Sequence, residues 1–267
     1  MFSPSTKRIA RTSYRALLRA SKEFEVQAAR LGASSLREAF TEDEHARLSR
    51  VVPGYADAAP SSTSLGETIA REFRLPSADV EHENSRLDAC LVVLSTLRRR
   101  SRLMAKMPTS CTSTTTTDGV RVVVTSSLLP AQTSPSDSRF VYAYEVEITN
   151  VGADEPVQIV SREWEIEDED GGVERVSGSG VVGQQPTLGQ GESFNYTSAC
   201  VLKRMRGSMF GKYMAVGQVS RRVIEARIGA FALSPPMRRT SSIVEAEIID
   251  DEEEDIEDLT RDLSLKR

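Results

Sequence analysis

The sequence predicts an α+β multidomain chain: an N-terminal α-helical bundle, then a β-sandwich, then a disordered acidic C-terminal tail. Three observations predict it. Residues 81–107 carry Leu87, Leu91, Val92, Leu94, Leu97 and Leu103 with no internal Gly or Pro, and Pro108 ends the run, which is a long helix. Tyr142, Tyr144, Val146 and Ile148 alternate with Ala143, Glu145, Glu147 and Thr149, which is a strand buried on one face. Charge changes sign along the chain. Residues 1–107 hold 18 Lys+Arg against 13 Asp+Glu (+5), residues 108–236 hold 11 against 15 (−4), and residues 237–267 hold 5 against 11 (−6), together the formal −5. The chain therefore reads as a basic helical module (1–107), a Ser/Thr linker (108–117), a sandwich (118–236) and an acidic tail (237–267).

In the first part, Tyr14, Leu17, Leu18 and Ala28 lie close to one face of a helix over residues 7–30. Residues 35–48 read as a second helix and residues 53–64 as a loop. Ser64-Leu-Gly-Glu has capping-box spacing and starts a helix that runs to Phe73. Amphipathic helices of this kind bury one another as a small bundle. In the second part, Val120, Val122 and Val124 alternate with Arg121, Val123 and Thr125. Residues 157–166 form a strand around Trp164, the only tryptophan, and Asp170-Gly-Gly turns into Val173-Glu-Arg-Val. Phe194 and Tyr196 share a strand face, and residues 213–219 and 224–233 supply the last pair. About seven short strands separated by turns are a sandwich pattern. Glu145, Glu147 and Glu165 are expected to guard sheet edges. In the tail, six consecutive acids at 250–255 repel one another and oppose folding. The tail is expected to fold on a partner or to shield the basic helices.

Several function classes lose their footing at this stage. No run of 18 apolar residues exists, so no helical membrane span is expected. Cys90, Cys111 and Cys200 are odd in number and far apart, which suits reduced thiols and not a disulfide framework. With His45 and His82 the only histidines and no C-x-x-C, neither a zinc site nor a Ser–His–Asp triad has its ligands in the sandwich. The acids of 163–170 and the bases Lys203, Arg204, Arg206 and Lys212 read as solvated faces, and no aromatic-interleaved basic stripe points to nucleic acid. Gly178, Gly180 and Gly183 spell G-x-G-x-x-G, yet Pro186, Gly189 and Gly191 follow, so no helix can receive a pyrophosphate there. No catalytic residue, metal or cofactor is assigned.

Between residues 118 and 236 the chain carries Gly119-Val-Arg-Val-Val-Val-Thr, Phe140-Val-Tyr-Ala-Tyr-Glu-Val-Glu-Ile-Thr-Asn, Ser161-Arg-Glu-Trp-Glu-Ile, Gly178-Ser-Gly-Val-Val-Gly-Gln-Gln-Pro, Phe194-Asn-Tyr-Thr-Ser and Gly207-Ser-Met-Phe-Gly-Lys-Tyr. In this order they resemble the ApaG domain family. The resemblance implies a fibronectin-III/Ig-like β-sandwich and a binding module without an established reaction, found alone in bacteria and, in eukaryotes, within an F-box protein and a polymerase-interacting protein. The family usually has His after the Ser-Arg pair, where this chain has Glu163.

The N-terminal stretch Ser13-Tyr-Arg-Ala-Leu-Leu-Arg-Ala-Ser-Lys-Glu-Phe, with Ile69-Ala-Arg-Glu-Phe-Arg and the helix through Leu91, is similar to the LYR-motif family of mitochondrial proteins, with Ser13 in place of the signature leucine. That similarity implies a three-helix module that binds mitochondrial acyl carrier protein, with Tyr14 and Arg15 mapping onto the motif. The first 22 residues hold Lys7, Arg8, Arg11, Arg15, Arg19 and Lys22 and no acid, as organelle-targeting segments do. The expected location is mitochondrial, with cytoplasm, nucleus or plastid as alternatives.

The reading is a non-enzymatic adaptor. Its expected partner-binding residues are Tyr14, Arg15 and Arg19, with Trp164 either core or, if exposed, an anchor. The expected ligand-binding residues are Arg162, Gly178, Gly180 and Gly183. In the alternative reading these four hold a nucleotide or pyrophosphate, the glycine amides forming a nest. A further alternative is a substrate-recognition adaptor of the ubiquitin system.

Overall fold

The computed structural model describes residues 4–33, 35–52, 55, 64–74, 80–152 and 154–236; the acidic tail lies outside the described residues. The helices are α1 (Pro4–Arg30), α2 (Glu42–Val51), α3 (Leu65–Arg74) and α4 (Val80–Lys106). Two compact units divide at Arg98/Arg99, so the last turns of α4 group with the sandwich and not with the helices before them.

In the helical unit, α1 buries Leu17, Ala20, Ser21, Phe24 and Ala28, residues three and four apart on one face. Phe24 stacks on Phe40 at 4.7 Å, and Phe40 meets Tyr55 edge-on at 5.8 Å. The Ser64 capping box is present, with Glu67 N–H donating to Ser64 Oγ and Ser64 N–H to Glu67 Oε2, both at 3.0 Å. The continuous helix expected over 35–48 is instead a short 3-10 turn (Arg37–Ala39) followed by α2. Thr41 resets the chain there by capping α2 in the same reciprocal way with Glu44. On α4 the buried stripe is Cys90, Val93, Leu94 and Leu97, while Leu91 and Val92 are exposed.

Among the described residues the sandwich has nine antiparallel strands: β1 (Thr112–Thr117), β2 (Val120–Leu128), β3 (Phe140–Asn150), β4 (Val157–Asp168), β5 (Val173–Ser179), β6 (Thr187–Leu188), β7 (Ser193–Leu202), β8 (Gly207–Gly217) and β9 (Val223–Leu233). One sheet runs β1-β2-β3-β7 and the other β5-β4-β8-β9, with β6 beside β4. Most of the expected linker is β1. Its threonines are β-branched and suit a strand, and Asp118-Gly119 turns it back onto β2 with both φ angles positive. One side of the sandwich is sewn together by bonds between the sheets: Ala232 N–H donates to Ser110 O at 2.7 Å and Ser126 Oγ to Ala232 O at 2.5 Å. Glu145, Glu147 and Glu165 stand on β3 and β4, which are interior strands, so they guard no edge. The core gathers around Trp164, 2% exposed, against Tyr144, Tyr213 and Phe231 at 5.5, 6.0 and 6.2 Å.

Candidate functional site

Alternation along β4 turns Arg162 to the same face as Trp164. Its register partners are Gly178 on β5 and the buried Tyr213 on β8. The guanidinium is half-buried and straps the end of β5. Nη1 donates to Gly180 O at 2.8 Å and to Ser179 O at 3.2 Å. Gly178 leaves the space for it, since a Cβ there would sit 3.0 Å from Nη1. Gly180 has φ +59°, and a Cβ would come within 2.1 Å of Gln184 O, so only glycine fits this turn. The loop amides are largely spent. Gly180 N–H bonds Val160 O at 2.8 Å, and Val181 and Gln184 exchange N–H···O bonds at 2.8 and 2.9 Å. Arg162, Gly178 and Gly180 therefore come together, with Gly183 (φ +77°) in open space at the tip.

Beneath Arg162 lies a pair of phenols, the half-buried Tyr196 and the buried Tyr213, with their Oη atoms 2.5 Å apart. Burial pushes Tyr196 up to about 12 and Tyr213 further up, and Arg162 offsets this only slightly. Trp164 is core and not a surface anchor. Glu163, where the resemblance expects His, is exposed and pairs with Lys212 at 3.7 Å. Burial raises the thiols of Cys90 and Cys200 to about 11 and 12, which makes both poor nucleophiles.

What Arg162 holds in place is an edge strand. β5 pairs with β4 and with no other strand among the described residues. Asp168 N–H to Gly172 O (2.9 Å) and Gly180 N–H to Val160 O (2.8 Å) make the even-numbered residues of β5 its hydrogen-bonded set. The N–H and C=O groups of Val173, Arg175 and Ser177 consequently point away from β4. Six of the seven β5 residues are exposed, Val173 by 50% and Val176 by 38%, so neither face of this strand is covered as a core strand would be.

A second cluster escaped the sequence reading. Arg100 from α4 places Nη1 2.5 Å from Asp170 Oδ1 and 3.1 Å from Glu169 O. Arg204 Nε lies 3.3 Å from both Glu169 and Asp170, and Arg206 lies 3.9 Å from Glu169. Glu169 and Arg206 are 5% and 3% exposed, so these two do not lie on a solvated face. Burial raises Glu169 to about 7 against the pull of three guanidinium groups. That exceeds the ordinary 4.5, so the folded state holds a proton that the unfolded chain releases between about 4.5 and 7. This contribution to stability is complete below pH 4.5 and is lost as pH rises through 7. The unfolding midpoint, followed by Trp164 fluorescence, is expected to fall between pH 5 and pH 8 by clearly less in Glu169→Gln than in the unaltered chain.

Tyr14, Arg15 and Arg19 belong to the helical unit, Tyr14 half-buried and both arginines exposed. No described helix is long and apolar enough to cross a membrane.

The ApaG domain model matches residues 130–217. Protein ApaG of Methylobacterium nodulans is 48% identical over 124 residues, which is 46% of this chain and 94% of that protein. The chain belongs to the ApaG family. Protein ApaG of Anaeromyxobacter dehalogenans is 45% identical over 124 residues, 46% of this chain and 96% of its own. The crystal structure of an ApaA protein from Bordetella pertussis is 41% identical, covers 48% of this chain and 98% of that one, and superposes with a TM-score of 0.43. These relatives are bacterial, and their match is to the ApaG part of the chain.

Proposed function

We propose that this ApaG-domain chain is a non-enzymatic interaction protein whose sandwich binds an extended segment of a protein partner along β5. The observation that carries the reading is the open edge of β5, with unpaired outward groups at Val173, Arg175 and Ser177 and exposed valines beside them. Strand addition needs main-chain donors and acceptors for affinity and alternate side chains for specificity, and β5 offers both. Arg162 supports the edge by fixing its C-terminal end, as a positioning residue. The small-anion alternative draws on the same arginine, but its Nη1 and the loop amides already serve the loop. The non-enzymatic part rests on composition, since both histidines lie outside the sandwich.

The helical unit carries a narrower form of the reading, in which mitochondrial acyl carrier protein docks at Tyr14, Arg15 and Arg19. Its support is the exposure of Arg15 and Arg19 on α1. Its mitochondrial element draws on the similarity to the LYR-motif family and on the basic, acid-free residues 1–22.

One experiment addresses both forms: quantitative co-purification of the tagged full chain from its own cells. Ser177→Pro removes one outward N–H without touching the bonds to β4, which edge strands tolerate. It is expected to leave the unfolding midpoint nearly unchanged and to reduce the dominant captured protein several-fold, while Ser177→Ala does not. Equal capture by both variants would reject the β5 edge. Stoichiometric acyl carrier protein, lost on combining Arg15→Glu with Arg19→Glu, is the result expected of the narrower form.

A further inference from the structure

We propose that the cationic stripe of α1 is the docking surface for this chain's own acidic segment, residues 250–258, as an intramolecular clamp. The inference goes beyond the β5 reading and does not depend on it. Arg8, Arg11, Arg15, Arg19 and Lys22 follow one another at intervals of three, four, four and three residues, which places all five on one face of α1. All five are exposed, and their side chains have no ion pair or hydrogen bond among the described residues. The opposite face, through Leu17, Ala20, Phe24 and Ala28, is the one that builds the bundle. The fold thus uses the apolar face of α1 and leaves the charged one vacant.

That vacancy has an electrostatic cost. Arg11, Arg15 and Arg19 are like charges four residues apart, a spacing at which they repel and weaken the helix. Acids are the remedy, yet none occurs between residues 8 and 22. An anion supplied from elsewhere relieves the repulsion along the whole stripe. The chain holds a segment of matching chemistry and size. Residues 250–258 contain eight acids in nine positions, interrupted only by Ile256. Extended, nine residues span up to about 30 Å, and the stripe is about 21 Å long at 1.5 Å per helical residue. The segment belongs to the same chain, so its binding to α1 is intramolecular and favoured over an equally acidic free peptide. An acidic partner that uses Arg15 and Arg19 must displace the segment first, which makes the clamp a brake on the helical unit.

Zero-length carbodiimide crosslinking of the full chain at low salt, read by peptide mass spectrometry, tests this. Lys22 is the one amine of the stripe. The expected product is an amide between Lys22 Nζ and a carboxyl of residues 250–258, formed with loss of water to the reagent. Its yield is expected to be unchanged on dilution and to vanish at about 0.5 M salt, where screening is short-ranged. A fluorescein-labelled peptide of residues 245–258 gives a second readout. It is expected to bind at least about tenfold more tightly to a full-length variant in which Asp250, Asp251, Glu252, Glu253, Glu254 and Asp255 are replaced by Asn or Gln than to the unaltered chain. That binding should be lost with Arg11→Glu, Arg15→Glu and Arg19→Glu combined; these positions are exposed, and retained helicity confirms the fold. Absence of the Lys22 crosslink at low salt, a yield that falls with dilution, or equal peptide binding by the two chains would overturn the clamp.

Discussion

Arg100→Ala is expected to cost the sandwich about 3–5 kcal/mol, the usual range when one partner of a buried ion pair is removed. Arg100 is 1% exposed, with its guanidinium 2.5 Å from Asp170 and 3.1 Å from the Glu169 carbonyl. Without it Asp170 keeps, among the described residues, Arg204 at 3.3 Å, and Glu169 O loses the hydrogen bond from Arg100. The short contact to Asp170 Oδ1 is ionic and not an aligned hydrogen bond. Its contribution therefore comes from charge in a poorly solvated place, which neutral substitutes cannot match. Trp164 is the only tryptophan and lies in the sandwich core, so guanidinium unfolding followed by its fluorescence reports on this unit. A loss below about 1 kcal/mol, the value of an exposed pair, would show that the network is solvated.

Trp164→Ala is expected to cost a further comparable amount, about 3–5 kcal/mol, because a large buried ring leaves a cavity that rigid strands cannot close. Its ring touches Tyr144 from the facing sheet as well as Tyr213 and Phe231 from its own, so both layers lose contacts. With the tryptophan gone, unfolding is read by far-ultraviolet circular dichroism. Trp164→Phe keeps an aromatic ring in place and is expected to lose clearly less. An unchanged midpoint in Trp164→Ala would return Trp164 to the surface and to a binding role.

Most of the sandwich was legible because its signals are local. The alternation from Tyr142 to Ile148 puts those four side chains in the core, and Val120, Val122 and Val124 behave likewise. Other features carried a signal that the sequence reading passed over. Thr41-x-x-Glu44 is the same capping box as Ser64-x-x-Glu67, and it splits the expected second helix. Thr112–Thr117 reads as a linker on its Ser/Thr content. The Asp118-Gly119 pair beside β-branched residues is a hairpin signal and could have placed β1.

The rest had no local signal. Glu169 and Arg206 look like surface residues in sequence, and Arg100, the residue that helps bury their network, is 69 positions from Glu169. Arg162 could be singled out as a lone arginine beside a glycine loop. That its Nη1 straps the loop depends on which carbonyls the register brings beneath it.

By itself the sequence determined the order of a helical part, a β part and an acidic tail, the faces of most strands, and membership in a family of β-sandwich domains. Those properties follow from periodicity, turn chemistry and charge, which act between near neighbours. Only the tertiary structure decided which strands are edges, which charges are buried, and which cations have no ion pair among the described residues. Each of these depends on strand order and on the approach of distant segments, where burial removes the water that would otherwise solvate the groups. The open edge of β5 and the vacant face of α1 belong to that second class, and both functional proposals stand on them.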